Sequence, residues 1–124
     1  MFENKEIKVT LSKDANEVFE ELNKTVGEEK MKGVESSFHQ TLLRSIERVI
    51  YLLKKNPFAG NQIPRKQHPK IYSEKYDVEN IWRIELANRW RLIYTIIGNN
   101  VEIINFVMDI FNHKDYDKVF GYKH

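Results

Sequence analysis

Residues 80–110 hold three consecutive strand-like runs joined by very short connections, and this stretch limits the fold more than any other part of the chain. "NIWRIEL" (Asn80 to Leu86) alternates, with Trp82, Ile84 and Leu86 on one side and Ile81, Arg83 and Glu85 on the other. Ala87-Asn88 fits a tight connection. "RWRLIYTII" (Arg89 to Ile97) then sets Trp90, Leu92, Tyr94 and Ile96 against Arg89, Arg91, Ile93, Thr95 and Ile97. Gly98 to Asn100 has the composition of a hairpin turn. "VEIINFVMDI" (Val101 to Ile110) is apolar on both sides, as a central strand is.

One strand and two helices precede these runs. "EIKVTLS" (Glu6 to Ser12) alternates Ile7, Val9 and Leu11 with polar residues, which marks a half-buried strand. Ser12 is placed to cap a helix, and Asp14 suits its electropositive first turn. Ala15, Val18, Phe19, Leu22 and Val26 follow at helical spacing, Gly27 is a candidate break, and polar residues run on to Gly33. Phe38, Leu42, Leu43, Ile46, Val49, Ile50 and Leu53 then form one face of a second helix, which Asn56-Pro57 ends. "NPFAGNQIPRKQHPK" (Asn56 to Lys70) holds all three prolines and reads as a long loop, either functional or a plain connector. Two apolar helix stripes are satisfied by packing on one sheet face. The expectation is one α+β domain over residues 1–124, with two N-terminal helices on one face of a mainly antiparallel four-stranded sheet. The order is β-α-α-β-β-β, with room for a short C-terminal helix in "FNHKDYDKVFGYKH".

Composition excludes several classes. With 41% hydrophobic and 31% charged residues the chain is an ordinary globular mix. No apolar run approaches the roughly 18–20 residues of a membrane span, and "MFENKEIKVT" lacks the apolar stretch of a secretory signal. The absence of cysteine removes disulfides and thiolate metal sites and is compatible with a reducing cytoplasm, the expected location. His39, His68 and His124 have no partners at metal-ligand spacing, so neither a metal nor another cofactor is expected. The net charge of +2 is too small to announce a nucleic-acid binder, but it is unevenly spread. Residues 1–30 carry −3, residues 31–60 and 61–94 carry +3 each, and residues 95–124 carry −1.

Arg83, Glu85 and Arg91 fall on the side of their strands away from Trp82, Trp90 and Leu92. Unpaired charges are hard to bury, so an open, concave, charged sheet face is the simple account. Trp82 and Trp90 are read as core under the helices, and Tyr94, of the same parity, as structural.

In this order, the helix pair, "NPFAG", "WRIEL", "WRLIYTI" and a hydrophobic strand ending in "HKDY" resemble the RelE/ParE toxin superfamily, on its RelE/YoeB-like, mRNA-cleaving side. The resemblance spans Glu6 to Tyr122. Trp90-Arg91-Leu92-Ile93-Tyr94 is its most specific segment, and Pro57 to Gly60 matches the YoeB-like pattern. It implies the toxin of a type II toxin–antitoxin system, a ribosome-dependent endoribonuclease that cuts mRNA by metal-independent acid–base chemistry. The implied partners are a cognate antitoxin, the ribosome and mRNA, with no membrane, and the toxin is a monomer or a homodimer. The superfamily also holds ParE-like members that inhibit DNA gyrase. A catalytically inactive, antitoxin-binding member is a further reading, and fold alone does not separate the three.

Attack of a ribose 2′-hydroxyl on the adjacent phosphate needs a base, a cation for the charge that gathers on phosphorus, and an acid for the leaving 5′ oxygen. Arginine suits the cationic role because its planar fork binds two oxygens and stays charged. The resemblance gives that role to Arg91 and places Arg83 facing the RNA on the preceding strand. Glu85 stands where RelE-like members carry lysine. It either acts as the base, since Pro64-Arg65-Lys66 lacks the YoeB-like loop glutamate, or pairs with an arginine. His113 is either an acid titrating near neutral pH or a surface or capping histidine. Tyr116 either orients a base or stacks on one. Arg65, Lys66, Lys70 and Arg89 are candidate contacts to the RNA backbone.

Overall fold

A computed structural model describes residues 5–121; the Tyr122 end of the resemblance and His124 lie outside the described residues. The elements run β1 (Glu6–Leu11), α1 (Lys13–Met31), α2 (Phe38–Lys55), β2 (Asn61–Gln62), α3 (Lys70–Tyr76), β3 (Trp82–Glu85), β4 (Arg91–Gly98), β5 (Glu102–Phe111) and α4 (His113–Phe120). They form an α+β fold around one five-stranded sheet of order β1-β5-β4-β3-β2. The β2-β3, β3-β4 and β4-β5 pairs are antiparallel, and β1 runs parallel to β5. The fifth strand, beyond the four expected, is the two-residue β2. It comes from the long loop, and α3 follows directly on that loop.

Local chemistry sets the helix ends. Ser12 caps α1, its hydroxyl accepting from Ala15 N at 3.0 Å while donating to Met108 O at 2.7 Å, so one side chain starts the helix and ties it to β5. The helix does not break at Gly27. Nothing lies within 4 Å of a Cβ built there, and the good helix formers Glu28 to Met31 carry the helix on. The left-handed turn after the helix falls instead to Gly33, at φ 83°. Ser37 caps α2 by accepting from Gln40 N, and the helix ends before Pro57 as expected.

The two sheet faces carry separate cores. Ala15, Leu22, Val26, Leu42, Leu43, Ile46, Val49 and Leu53 of the helices pack on Leu92, Tyr94, Val107 and Ile110, with Trp82 and Trp90 at the margin. On the other face Ile63, Ile81, Ile93 and Met108 are covered by Tyr72 of α3 and Tyr116 of α4. That face is therefore not open along its length. It holds enough apolar surface to need a cover, and two short helices supply it. Between Ile93 and Tyr94 the register with β5 shifts, Ile93 pairing with Asp109 but Tyr94 with Val107. Met108 is the bulged residue, and the shift brings both Met108 and Asp109 to the second face.

Tyr94 ties the PFAG segment to the sheet. Its hydroxyl donates to Pro57 O at 2.7 Å and accepts from Gly60 N at 3.1 Å. Gly60 lies so close to β3 and β4 that an added Cβ would meet Arg83 O at 2.7 Å and Tyr94 Oη at 2.9 Å. The glycine is required by this approach of two backbones.

Candidate functional site

Strand register assembles the charged cluster. Glu85 on β3 pairs with Arg91 on β4, and Arg83, two residues earlier, shares their face. Arg91 in turn pairs with Phe111 at the end of β5. There the chain turns through Asn112, whose side chain accepts from Asp115 N and caps α4. The helix folds back over the arginines, with His113 as its first residue and Tyr116 one turn on.

Tyr116 is buried beneath both arginines. Arg83 Nη1 donates to Tyr116 Oη at 2.9 Å. The guanidinium carbons of Arg83 and Arg91 lie 5.7 and 5.3 Å from the centre of its ring. Such contacts are worth about 0.5–2 kcal/mol each, and they hold two like charges over one quadrupole. Phe120 stacks on the ring at 4.5 Å and Phe111 meets it edge-on at 6.0 Å. With the ring 2% exposed, its geometry suits support of the arginines rather than stacking on a nucleobase.

Arg91 is fixed on its inner side. Nη1 donates to Arg89 O and more weakly to Trp90 O, at 3.4 Å, and Nε lies 3.5 Å from Glu85 Oε1. Its side chain is 13% exposed, against 59% for Glu85, so the carboxylate stands at the rim and the guanidinium inside it. Neither Arg83 Nε nor Arg91 Nε has a hydrogen-bond acceptor, and neither Nη2 donates a hydrogen bond among the described residues. Two guanidiniums with donors to spare, one of them paired to an exposed carboxylate, form an anion cradle that a phosphate could enter. His113 is half-buried, lies three residues before Tyr116 on one side of α4, and is engaged in interactions of its own.

The proposed backbone contacts divide between two regions. Arg89 is not the first residue of a strand. It ends a 3-10 turn, Ala87–Arg89, at φ 64°, after Asn88 at φ 58°. A reversal this tight needs left-handed residues, which breaks the alternation assumed from Arg89 onwards. Arg89 nevertheless stays exposed next to Arg91. Arg65 lies at the other end of β3, where its Nη2 donates to Glu79 O at 3.3 Å. Glu79 and Glu85 are six residues apart, roughly 20 Å along an extended chain. Lys66 follows Arg65 in the same turn, and Lys70 begins α3; both are exposed. The cradle thus gathers Arg83, Glu85, Arg91 and Tyr116, with Arg89 next to Arg91, His113 one turn before Tyr116 on α4, and Arg65 at the other end of β3.

Asp109 and Tyr72 belong to the surroundings of the site, and sequence reasoning misses both. Tyr72 Oη donates to Asp109 Oδ2 at 2.7 Å, and its ring meets Phe120 at 6.1 Å. Burial pushes the Asp109 carboxyl above the usual range, opposed by the Tyr72 hydrogen bond; Tyr72 is pushed up strongly by burial and by the carboxylate. The sequence holds one signal of the pair, a lone acid inside the apolar run of Val101 to Ile110. No group of three or more His, Asp or Glu among the described residues is arranged to hold a metal ion. No described helix is long and apolar enough to cross a membrane.

No protein-family model matches the chain, and no curated protein does. Among solved structures it is similar to a YoeB/ParE toxin from Agrobacterium tumefaciens, with TM-score 0.53 and 17% identity over 86% of this chain and 98% of that one. At that identity the likeness is one of fold, and it agrees with the order of elements that the sequence motifs imply.

Proposed function

We propose that this chain, which has the RelE/ParE toxin fold, is the toxin of a toxin–antitoxin pair and cleaves mRNA on the ribosome. The observation that carries the reading is the cradle of Arg83 and Arg91 over Tyr116, in which neither Nη2 donates a hydrogen bond among the described residues. In the proposed reaction the ribose 2′ oxygen loses its proton to Glu85 and attacks the neighbouring phosphorus. A 2′ O–P bond forms and the P–O5′ bond breaks, leaving a 2′,3′-cyclic phosphate and a 5′-hydroxyl. His113 gives the departing 5′ oxygen its proton, while Arg91 and Arg83 hold the charge gathered on the phosphate oxygens. Tyr116 keeps the two cations in place. A protein antitoxin would silence the toxin by covering this face or the helices.

A specific observation favours a second reading, that of a gyrase-inhibiting or catalytically inactive member. Glu85 Oε1 is engaged with Arg91 Nε at 3.5 Å, a structural ion pair rather than a carboxylate free to meet a ribose hydroxyl. Induction of the protein followed by mapping of mRNA ends on translating ribosomes separates the two. Codon-phased cuts that vanish in Arg91→Ala support the nuclease. Growth arrest with intact mRNA and inhibited gyrase supports the second reading, and no toxicity points to the inactive class.

A further inference from the structure

The charge of the helical layer is divided between its two helices. Within α1 stand six acids and three bases, net −3; within α2 stand four bases and one acid, net +3. The acid of α2 is Glu47. Arg44, Arg48, Tyr51 and Lys55 recur at intervals of four, three and four residues, which places them within one narrow stripe of the helix. All four are exposed, Tyr51 at 62%, and Lys55 Nζ sits 4.8 Å from the centre of the Tyr51 ring. None of the three cations, nor Lys54 beside them, makes an ion pair among the described residues; Arg44 reaches only Thr41 Oγ1, at 3.5 Å. A merely solvated helix face commonly mixes charges of both signs, whereas this one sets four cations against a single exposed acid, Glu47, which makes no ion pair with them among the described residues.

The inner side of α2 is tied to the turn that adjoins the cradle. Ser45, next to Arg44, accepts from Ala87 N at 3.1 Å, and Phe38 of α2 packs on Trp90 at 6.3 Å. The turn so anchored carries Arg89 and opens directly onto Arg91. The helices and the cradle lie on opposite faces of the sheet, so a strand passing from Arg91 to Arg44, Arg48 and Lys55 would turn around the strand ends at Arg89, and the three α2 cations then cover about 16 Å of helix. We infer that the outer face of α2 is a track for the phosphate backbone of the single-stranded RNA whose scissile phosphate sits at Arg83 and Arg91. The inference rests on the nuclease reading for its choice of ligand. It also replaces Arg65 and Lys66 with Arg44, Arg48 and Lys55 as the principal backbone contacts. Each phosphate neutralised on single-stranded RNA contributes roughly 0.7 to the salt slope of binding, so removing these three cations should lower the slope by about 2.

The test uses the full chain and a fluorescent, uncleavable 2′-O-methyl RNA 12-mer, titrated at 50 and 200 mM salt. The triple variant Arg44→Ala, Arg48→Ala, Lys55→Ala should bind more weakly at 50 mM. Its disadvantage should shrink about 15- to 20-fold at 200 mM, as the lower slope requires. The triple variant Lys24→Ala, Lys30→Ala, Lys32→Ala, in the second half of α1 and at its C-terminal cap, removes the same net charge and should leave the slope unchanged. Equal slopes for wild type and the α2 variant overturn the track, as does an equal loss from both triple variants. Weakened binding of duplex DNA with unchanged RNA binding also overturns it. RNA binding that needs Arg91 but ignores α2 sinks the track alone, while α2-dependent binding of the 12-mer by a protein that leaves unmodified mRNA whole on translating ribosomes sinks the nuclease reading alone.

Discussion

Tyr94→Phe removes one oxygen atom and leaves two backbone groups without a partner. Its hydroxyl is the donor to Pro57 O and the acceptor for Gly60 N, in a side chain with no measurable exposure. Burial raises the hydroxyl to about 12, so it remains a donor throughout the ordinary pH range. Phenylalanine fills the same space, so the loss comes from unsatisfied polar groups rather than a cavity. A buried group left unpaired costs about 1–3 kcal/mol, and Gly60 is only half-buried, which brings the total to about 2–4 kcal/mol. At roughly 4 °C per kcal/mol for a chain of this length, Tm should fall by about 8–16 °C. Urea unfolding monitored by tryptophan fluorescence measures the same quantity. Gly60→Ala should also destabilise, by about 1–3 kcal/mol, because its new Cβ meets the backbone oxygen of Arg83 as well as the tyrosine hydroxyl. The clash with Arg83 persists in Tyr94→Phe, so Gly60→Ala should remain harmful in the Tyr94→Phe background. A loss below about 0.5 kcal/mol for Tyr94→Phe would refute the reasoning, because it is the level of an ordinary surface substitution.

Other perturbations follow from the same structure. Asp109→Asn should stabilise the protein at pH 7. The folded carboxyl titrates above its unfolded value, so wild-type stability falls as pH rises from the ordinary carboxylate range through the raised one. The advantage of Asp109→Asn should accordingly disappear below that window, as read by urea unfolding at a series of pH values. Tyr116→Phe keeps the ring beneath both guanidiniums and removes only the acceptor for Arg83. It should reduce cleavage less than Tyr116→Leu, which removes the platform for both arginines; single-turnover rates on ribosomes rank the two.

The parts of the fold legible in sequence are those with strong local signals. The Ser12 cap of α1, the apolar stripe of α2 and its Pro57 stop, the alternation in β3 and β4 and the turn before β5 all rest on neighbouring residues. The rest depends on distant ones. α3 is seven residues long, too short to be stable alone, and is held by Tyr72 on the second core and by Lys75 bonded to Asp14. The bulge at Met108 leaves no mark in an apolar run, yet it decides that Asp109 lies beneath Tyr72. For the candidate site, strand parity is enough to group Arg83, Glu85 and Arg91. It does not reveal that α4 buries Tyr116 beneath them, or that Arg65 lies beyond the far end of β3. Arg89 misleads because its left-handed backbone, two residues before the strand's first arginine, has no signature in the side chain itself.

Arg91 as a phosphate ligand in RNA cleavage is the central claim to be tested. Its most direct test combines purified protein, programmed ribosomes and a defined mRNA, with the chemistry of the new RNA ends as the readout. Wild type should produce ends bearing 2′,3′-cyclic phosphate and 5′-hydroxyl at a fixed position in the codon. Arg91→Ala should lose about 100- to 1,000-fold in the single-turnover rate, the usual effect of removing one group that stabilises transition-state charge. Wild-type protein that leaves the mRNA whole, or Arg91→Ala that cuts as fast as wild type, would contradict the account.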